Sequence, residues 1–200
     1  MNMKMAVPVM IWLLSVGGGI FALEKYSSSP GLQGSIPAEW PAGSRLQRVA
    51  GTPTLVMMSH PRCPCTRASL TELDVLLSQY RERLTAHVLF IQPKGMPYEW
   101  TKTDLWRTAA GIKGVHVLVD ADAMESDRFA GQTSGHVLLY KAEGQLEFSG
   151  GITGARGHIG DNLGLQRILA ILRGVAVDRS DSPVFGCPLH AADDPIPGAS

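Results

Sequence analysis

Cys63 and Cys65 stand one residue apart in the run His60-Pro61-Arg62-Cys63-Pro64-Cys65. A pair of neighbouring thiols can exchange with a disulfide when one of them ionises near neutral pH. The surrounding residues supply a reason for that ionisation. Pro64 suits the first turn of a helix, so the thiols fall between the apolar run Thr54–Ser59 and a helix start. Helix N-termini carry unpaired N–H groups and partial positive charge, which stabilise a thiolate. Arg62 and Arg67 add positive charge from the flanks. Cys63 precedes the helix and is expected to be the more exposed attacker. Cys65 sits nearer the helix dipole, and the two roles can be exchanged. His60, Arg62 and Pro64 are the supporting residues.

A third cysteine, Cys187, lies in the Pro-rich tail after the last expected helix, within Ser182-Pro183-Val184-Phe185-Gly186-Cys187-Pro188-Leu189-His190. An odd thiol in an oxidising compartment calls for a partner. The tail is expected to fold back, docked by Val184 and Phe185, so that Cys187 resolves a bond to Cys63 or Cys65. The same sulfurs leave an alternative function open, a copper- or zinc-binding assembly factor: Cys63, Cys65, Cys187 and His190 are ligands suited to copper or zinc. His158 lies in the Gly-rich loop Gly154–Asn162 and is a candidate acid/base or substrate contact. Asp161 in that loop is expected to cap the following helix, with Asn162 as the other candidate. His87, His116 and His136 read as structural, Trp100 and Trp106 as packing residues, and Arg45 and Arg48 as a solvated loop.

The elements that must position these residues follow from periodicity. Thr54–Ser59 is a short apolar run fit for a buried strand. Thr66–Leu84 is a helix with Leu70, Leu73, Leu77, Tyr80 and Leu84 on one face. Strands are expected at Ala86–Gln92 and Val115–Asp120, and helices at Thr101–Ala110 and Ala123–Ala130. Gly135–Lys141 and Gln145–Ser149 form a hairpin through Ala142-Glu143-Gly144. A final helix runs to Arg173 with Leu165, Ile168, Leu169 and Leu172 inward. The order β–α–β–α–β–α–β–β–α gives an α/β domain. Its early strands lack alternation, as in a parallel sheet covered on both faces, and the late hairpin makes the sheet mixed.

Ahead of this domain, Ala6–Leu23 is 18 residues without a charge. At about 1.5 Å per residue it reaches roughly 27 Å, enough to cross a hydrocarbon core. A retained anchor and a cleaved signal both place the rest outside the cytoplasm, and Lys4 agrees with that orientation. The run is longer than a usual signal core, which favours a transmembrane anchor. The expected divisions are an anchor over 1–23, a linker and lead-in loop over 24–51, the domain over 52–174 and a tail over 175–200. Lys+Arg and Asp+Glu are both 18, a net charge of zero. A neutral chain has no global field to collect polyanions, so nucleic acid is not an expected partner. Three cysteines are too few for a disulfide scaffold.

A strand, a Cys-Pro-Cys turn, a helix and this element order resemble the thioredoxin superfamily over Thr54–Arg173. Pro64-Cys65 resembles the second half of that family's Cys-Gly-Pro-Cys motif with one residue deleted. The pairing is therefore Cys-x-Cys, whose tighter ring favours easy reduction. Ser134-Gly135 stands where the family has a cis-proline. The Pro-x-x-x-Thr-x-x-Cys loop of peroxiredoxins is absent before either cysteine. The apolar N-terminus, His60–Ser69, Gly157–Asn162 and Val184–Leu189 are together similar to bacterial membrane-anchored thioredoxin-fold proteins labelled RedB-like. The resemblance implies a single-pass protein of the bacterial inner membrane with its domain on the periplasmic side. The thiol pair at a helix mouth itself points to a thiol–disulfide oxidoreductase that needs no organic cofactor and exchanges electrons with a redox partner protein.

Overall fold

The computed structural model describes residues 3–190. The tail beyond His190, and the side chain of Lys4 with its orientation signal, lie outside the described residues. The apolar N-terminus is one helix, α1 (Met3–Ser27), which tolerates Pro8. Its segment Val7–Ser27 is long and apolar enough to cross a membrane, and none of it is buried. The helix runs four residues past the expected end at Leu23, through Glu24, Lys25, Tyr26 and Ser27.

All six residues of β1 (Thr54–Ser59) are buried, as a run without alternation requires. It is followed by α2 (Pro64–Tyr80), β2 (Thr85–Gln92), a 3-10 turn at Tyr98–Thr101, α3 (Asp104–Gly111), β3 (Val115–Ala121), α4 (Met124–Arg128), β4 (His136–Tyr140), β5 (Leu146–Gly151) and α5 (Leu163–Leu172). The sheet order is β3-β2-β1-β4-β5. β1 and β2 are parallel, as are β2 and β3. β4 runs antiparallel to both β1 and β5. The sheet is thus mixed, with helices on both faces, as the element order implied.

Side chains of β1 divide between two cores. Leu55 and Met57 meet Leu70, Leu73, Leu77 and Phe90. Val56 and Met58 meet Phe129, Tyr140 and Leu189, a cluster against which Trp40 packs. The second core takes in both the lead-in loop and the tail. Trp40 makes edge contacts with Phe129 and Tyr140 at 5.0 and 5.3 Å between ring centroids. Arg45 and Arg48 are exposed, as a solvated loop implies; Arg45 also reaches the buried carboxylate of Glu125 at 3.3 Å, and Arg48 lies over the Trp40 ring.

Several helix ends differ from expectation, and one expected alternative is decided. Helix α2 stops at Tyr80, while Leu84 is buried beyond a turn over Arg81–Arg83. The N-cap of α5 is Asn162, whose Oδ1 accepts the Leu165 N–H at 2.7 Å, and Asp161 is not the cap. The Asn162 cap also closes the loop that begins after β5. Asn162→Ala is expected to cost about 1 kcal/mol. It should appear as a lower denaturant midpoint with an unchanged slope.

Candidate functional site

The site forms where β1 ends. His60, Pro61 and Arg62 turn the chain, and Cys63 becomes the N-cap of α2 in an extended conformation with Pro64 in the first turn. The turn is tied from several sides. The Cys63 N–H donates to the His60 carbonyl at 3.1 Å, and the Thr66 N–H donates to the Cys63 carbonyl at 3.0 Å. The His60 N–H donates to Ser134 Oγ at 2.9 Å, and the Ser134 and Thr66 hydroxyls are 2.8 Å apart. The expected placement of sulfur at a helix mouth is therefore present. Ser134-Gly135, directly before β4, contains no cis peptide, and Gly135 lies at φ +87°.

The tail closes over this turn. The Ser134 N–H donates to the Cys187 carbonyl at 2.8 Å, and the Leu189 N–H donates to the Gln132 carbonyl at 2.9 Å. Thr133 and Pro188 form an antiparallel bridge between these bonds. On the other side, the Gly31 N–H donates to the Val184 carbonyl at 2.8 Å. Gly186 is required here: a Cβ at that position would lie 1.9 Å from the Ser134 carbonyl oxygen. Val184 and Phe185 are buried, as a docking pair should be.

The result is a cluster of three free cysteines, Cys63, Cys65 and Cys187. Burial pushes the Cys63 thiol up, but hydrogen bonds outweigh it and the net direction is down. These bonds come from the Cys187 thiol and from the backbone N–H groups of Cys187, Thr66 and Cys65. Cys65 is pushed up, by burial first and then by the neighbouring Cys63 thiolate. Cys187 is pushed up to about 12, by burial and then by the hydrogen bond it gives Cys63. Of the three sulfurs, Cys63 is therefore the one that ionises most readily, while Cys65 and Cys187 are held toward the protonated form.

The expected exposure of Cys63 is reversed. Cys63 is 1% exposed and Cys65 9%, while Cys187 is only half-buried. The tail causes this reversal by covering Cys63. The nearby cation also differs from expectation. Arg67 pairs with Asp104, and the Arg62 guanidinium lies 5.1 Å from the centre of the Trp100 ring. The cation at the sulfurs is Arg156, which sequence reasoning missed. It hydrogen-bonds Cys65 and draws its pKa down against the larger effects of burial and of the Cys63 charge. It also donates to the Gly186 carbonyl. Its backbone N–H holds the Ser27 carbonyl at the end of α1 at 2.9 Å, and its guanidinium is 4.9 Å from the centre of the Tyr26 ring. The only signal in the sequence was a lone arginine in the Gly-rich loop. Glu72, buried on α2, accepts the Gly160 N–H and ties that loop to the helix.

The remaining candidates separate. His60 stacks edge-on against Trp100 with centroids 5.5 Å apart, so Trp100 belongs to the rim of the site. Burial, then the Arg62 charge, lowers the His60 pKa. His158 is exposed, and it is Arg156, not His158, that the loop brings to the sulfurs. His190 leaves the cluster altogether and faces Asp127 at 3.0 Å. Among the described residues no group of three or more His, Cys, Asp or Glu side chains is arranged to hold a metal ion. The copper or zinc set built on His190 is not assembled.

No family model and no curated protein matches the sequence. Solved structures do match in shape. An uncharacterized conserved protein from Geobacillus kaustophilus aligns at a TM-score of 0.59 and 15% identity, over 84% of this chain and 95% of that one. A hypothetical protein from Sinorhizobium meliloti 1021 aligns at 0.58 and 20%, over 80% and 93%. A thioredoxin-like protein solved in its oxidized form aligns at 0.48 and 18%, over 75% and 97%. At these identities the likeness is one of fold. The parallel β1–β2–β3 half, the antiparallel β4–β5 hairpin and the cysteine-bearing N-terminus of α2 are those expected from the sequence. The chain has a thioredoxin-like fold.

Proposed function

We propose that the protein is a membrane-anchored thiol–disulfide oxidoreductase that works outside the cytoplasm, with its domain on the periplasmic side of a bacterial inner membrane. The observation that carries the reading is the placement of Cys63 as the N-cap of α2, ahead of Pro64 in the first turn, with the tail bound across the same turn through Ser134 and Cys187. The apolar helix α1 supports the anchor, and the resemblance to RedB-like proteins supports the location.

The exchange proceeds by substitution at sulfur. The Cys63 thiolate attacks one sulfur of a partner disulfide. The partner's S–S bond breaks, its second sulfur leaves as a thiolate and takes a proton, and a mixed disulfide joins the partner to Cys63. Cys65 or Cys187 then loses its proton and attacks the Cys63 sulfur, releasing the partner's first thiol. Two electrons have passed to the partner, and the protein holds a disulfide. The reverse sequence oxidises a partner dithiol. Exchange of this kind uses no organic cofactor, and a second redox protein supplies or removes the electrons. Cys63 is covered, so the tail must lift for the first step.

The intact chain in detergent, reduced and then mixed with glutathione disulfide, should show a transient glutathione adduct on Cys63. A link from Cys63 to Cys65 or Cys187 should follow. Both are read by alkylation and digestion without reductant. Three free thiols after prolonged exposure would overturn the redox reading.

A further inference from the structure

The tail lies in a slot with two backbone walls. One wall is Gln132–Ser134, which gives the Ser134 N–H to Cys187 and takes the Leu189 N–H. The other is Gly31, which gives its N–H to Val184. Thr133 braces the two walls together by donating its hydroxyl to the Leu32 carbonyl at 2.7 Å. Between them the tail places a cysteine sulfur against Cys63. A segment that presents a cysteine to the attacking sulfur, bridged antiparallel to Thr133 through Pro188 and held by main-chain bonds, has the properties of a substrate strand.

We propose that Val184–Leu189 is a built-in stand-in for the partner, and that the partner docks by taking its place. The slot then defines the partner chemically, an inference that rests on the redox reading above. The partner is an extended polypeptide segment carrying the cysteine of its disulfide. The residue before that cysteine is glycine, because a Cβ there meets the Ser134 carbonyl oxygen at 1.9 Å and the obstacle is backbone. Apolar residues precede the glycine, where Val184 and Phe185 are buried, and another follows the cysteine by two, where Leu189 is 4% exposed. The position directly after the cysteine needs no N–H donor, since Pro188 fills it.

The test uses the full-length Cys187→Ser chain in detergent, pre-reduced and in single turnover without added reductant. The probes are two end-capped peptides, Pro-Val-Phe-Gly-Cys-Pro-Leu-His and the same peptide with alanine for glycine, each joined through its cysteine to glutathione. The Cys63 thiolate attacks the peptide sulfur, and glutathione leaves as a thiolate and is protonated. Cys65 then gives up its proton and displaces the peptide thiol, leaving a Cys63–Cys65 disulfide. The glycine peptide should react at least about tenfold faster than the alanine peptide, the scale on which one misfit methyl group is rejected. Equal rates, or no reaction with either peptide while glutathione disulfide is still reduced, would overturn the docking inference and leave the redox reading standing. Failure with glutathione disulfide as well would remove both. A second variant checks the seat from the protein side. Compared at a pH high enough to ionise Cys63 with or without its Cys187 donor, Gly186→Ala in the otherwise native chain should speed alkylation of Cys63 by at least about tenfold, because the tail can no longer lie against Ser134. An unchanged Cys63 rate would mean that the tail is not what covers it.

Discussion

Cys63→Ser is expected to lower the rate of disulfide exchange by about a thousandfold or more, because a serine hydroxyl does not ionise near neutral pH and the thiolate is the nucleophile. The measurement is a single turnover of the pre-reduced full-length chain with glutathione disulfide. Cys65→Ser and Cys187→Ser should behave differently from Cys63→Ser. Each keeps the attacking sulfur and should accumulate the mixed disulfide when its own sulfur is the resolving one. Should Cys63→Ser keep its rate within about tenfold while Cys187→Ser loses it, the attacker would be the half-buried tail cysteine and the assignment would be wrong. The pH profile gives an independent reading. Hydrogen bonds from Cys187 and the helix turn lower the Cys63 pKa despite burial. The pH at which alkylation of Cys63 falls off should therefore lie below that of an ordinary cysteine thiol. Cys187→Ala removes the side-chain donor and should move the profile to higher pH. Cys187→Ser, which still offers a hydroxyl, should restore part of the shift.

Local patterning was enough for the sheet and most helices, and it was insufficient wherever distant segments meet. Thr54–Ser59 is read correctly to the residue because an unbroken apolar run bounded by Pro53 and His60-Pro61 has one sensible role. Leu84 misled the end of α2 because apolar spacing reports burial, and burial continues past Tyr80 through a turn into β2. Asp104 begins α3 later than Thr101 because Tyr98–Thr101 first completes a 3-10 turn. The thiols at the helix mouth were legible because both causes, Pro64 and the strand end, lie within a few residues. The burial of Cys63 was not legible, since it depends on a segment more than a hundred residues away. Arg156 was missed for the same reason: its contacts with Cys65, Gly186, Ser27 and Tyr26 all come from other parts of the chain. The return of Cys187 could be expected from the odd cysteine count, whereas the departure of His190 toward Asp127 could not.

Acidification from pH 7 to pH 4.5 should destabilise the fold by about 2.5 kcal/mol through His136 alone. His136 is fully buried at the start of β4, with Nε2 2.9 Å from Ser149 Oγ and Nδ1 without a partner. Burial lowers its pKa from 6.5 to about 4. The sign follows from that depression. Above pH 6.5 the ring is neutral whether the chain is folded or unfolded, and the folded state carries no penalty. As pH falls from 6.5 toward 4 the unfolded chain gains a proton that the folded chain refuses, so stability is lost across this window. For a chain of this length the melting temperature should drop by about 5–10 °C. His87, whose pKa is lowered chiefly by burial, pushes in the same direction. The variant that isolates the effect is His136→Gln, which keeps a polar group for Ser149 and cannot titrate. Its stability should change with pH by about 2.5 kcal/mol less than that of the parent over the same interval. An identical pH slope in the two proteins would rule His136 out as the source. The loss would fall next to the sulfurs, because β4 continues directly from Ser134-Gly135, and Ser134 holds the Cys187 carbonyl against the site.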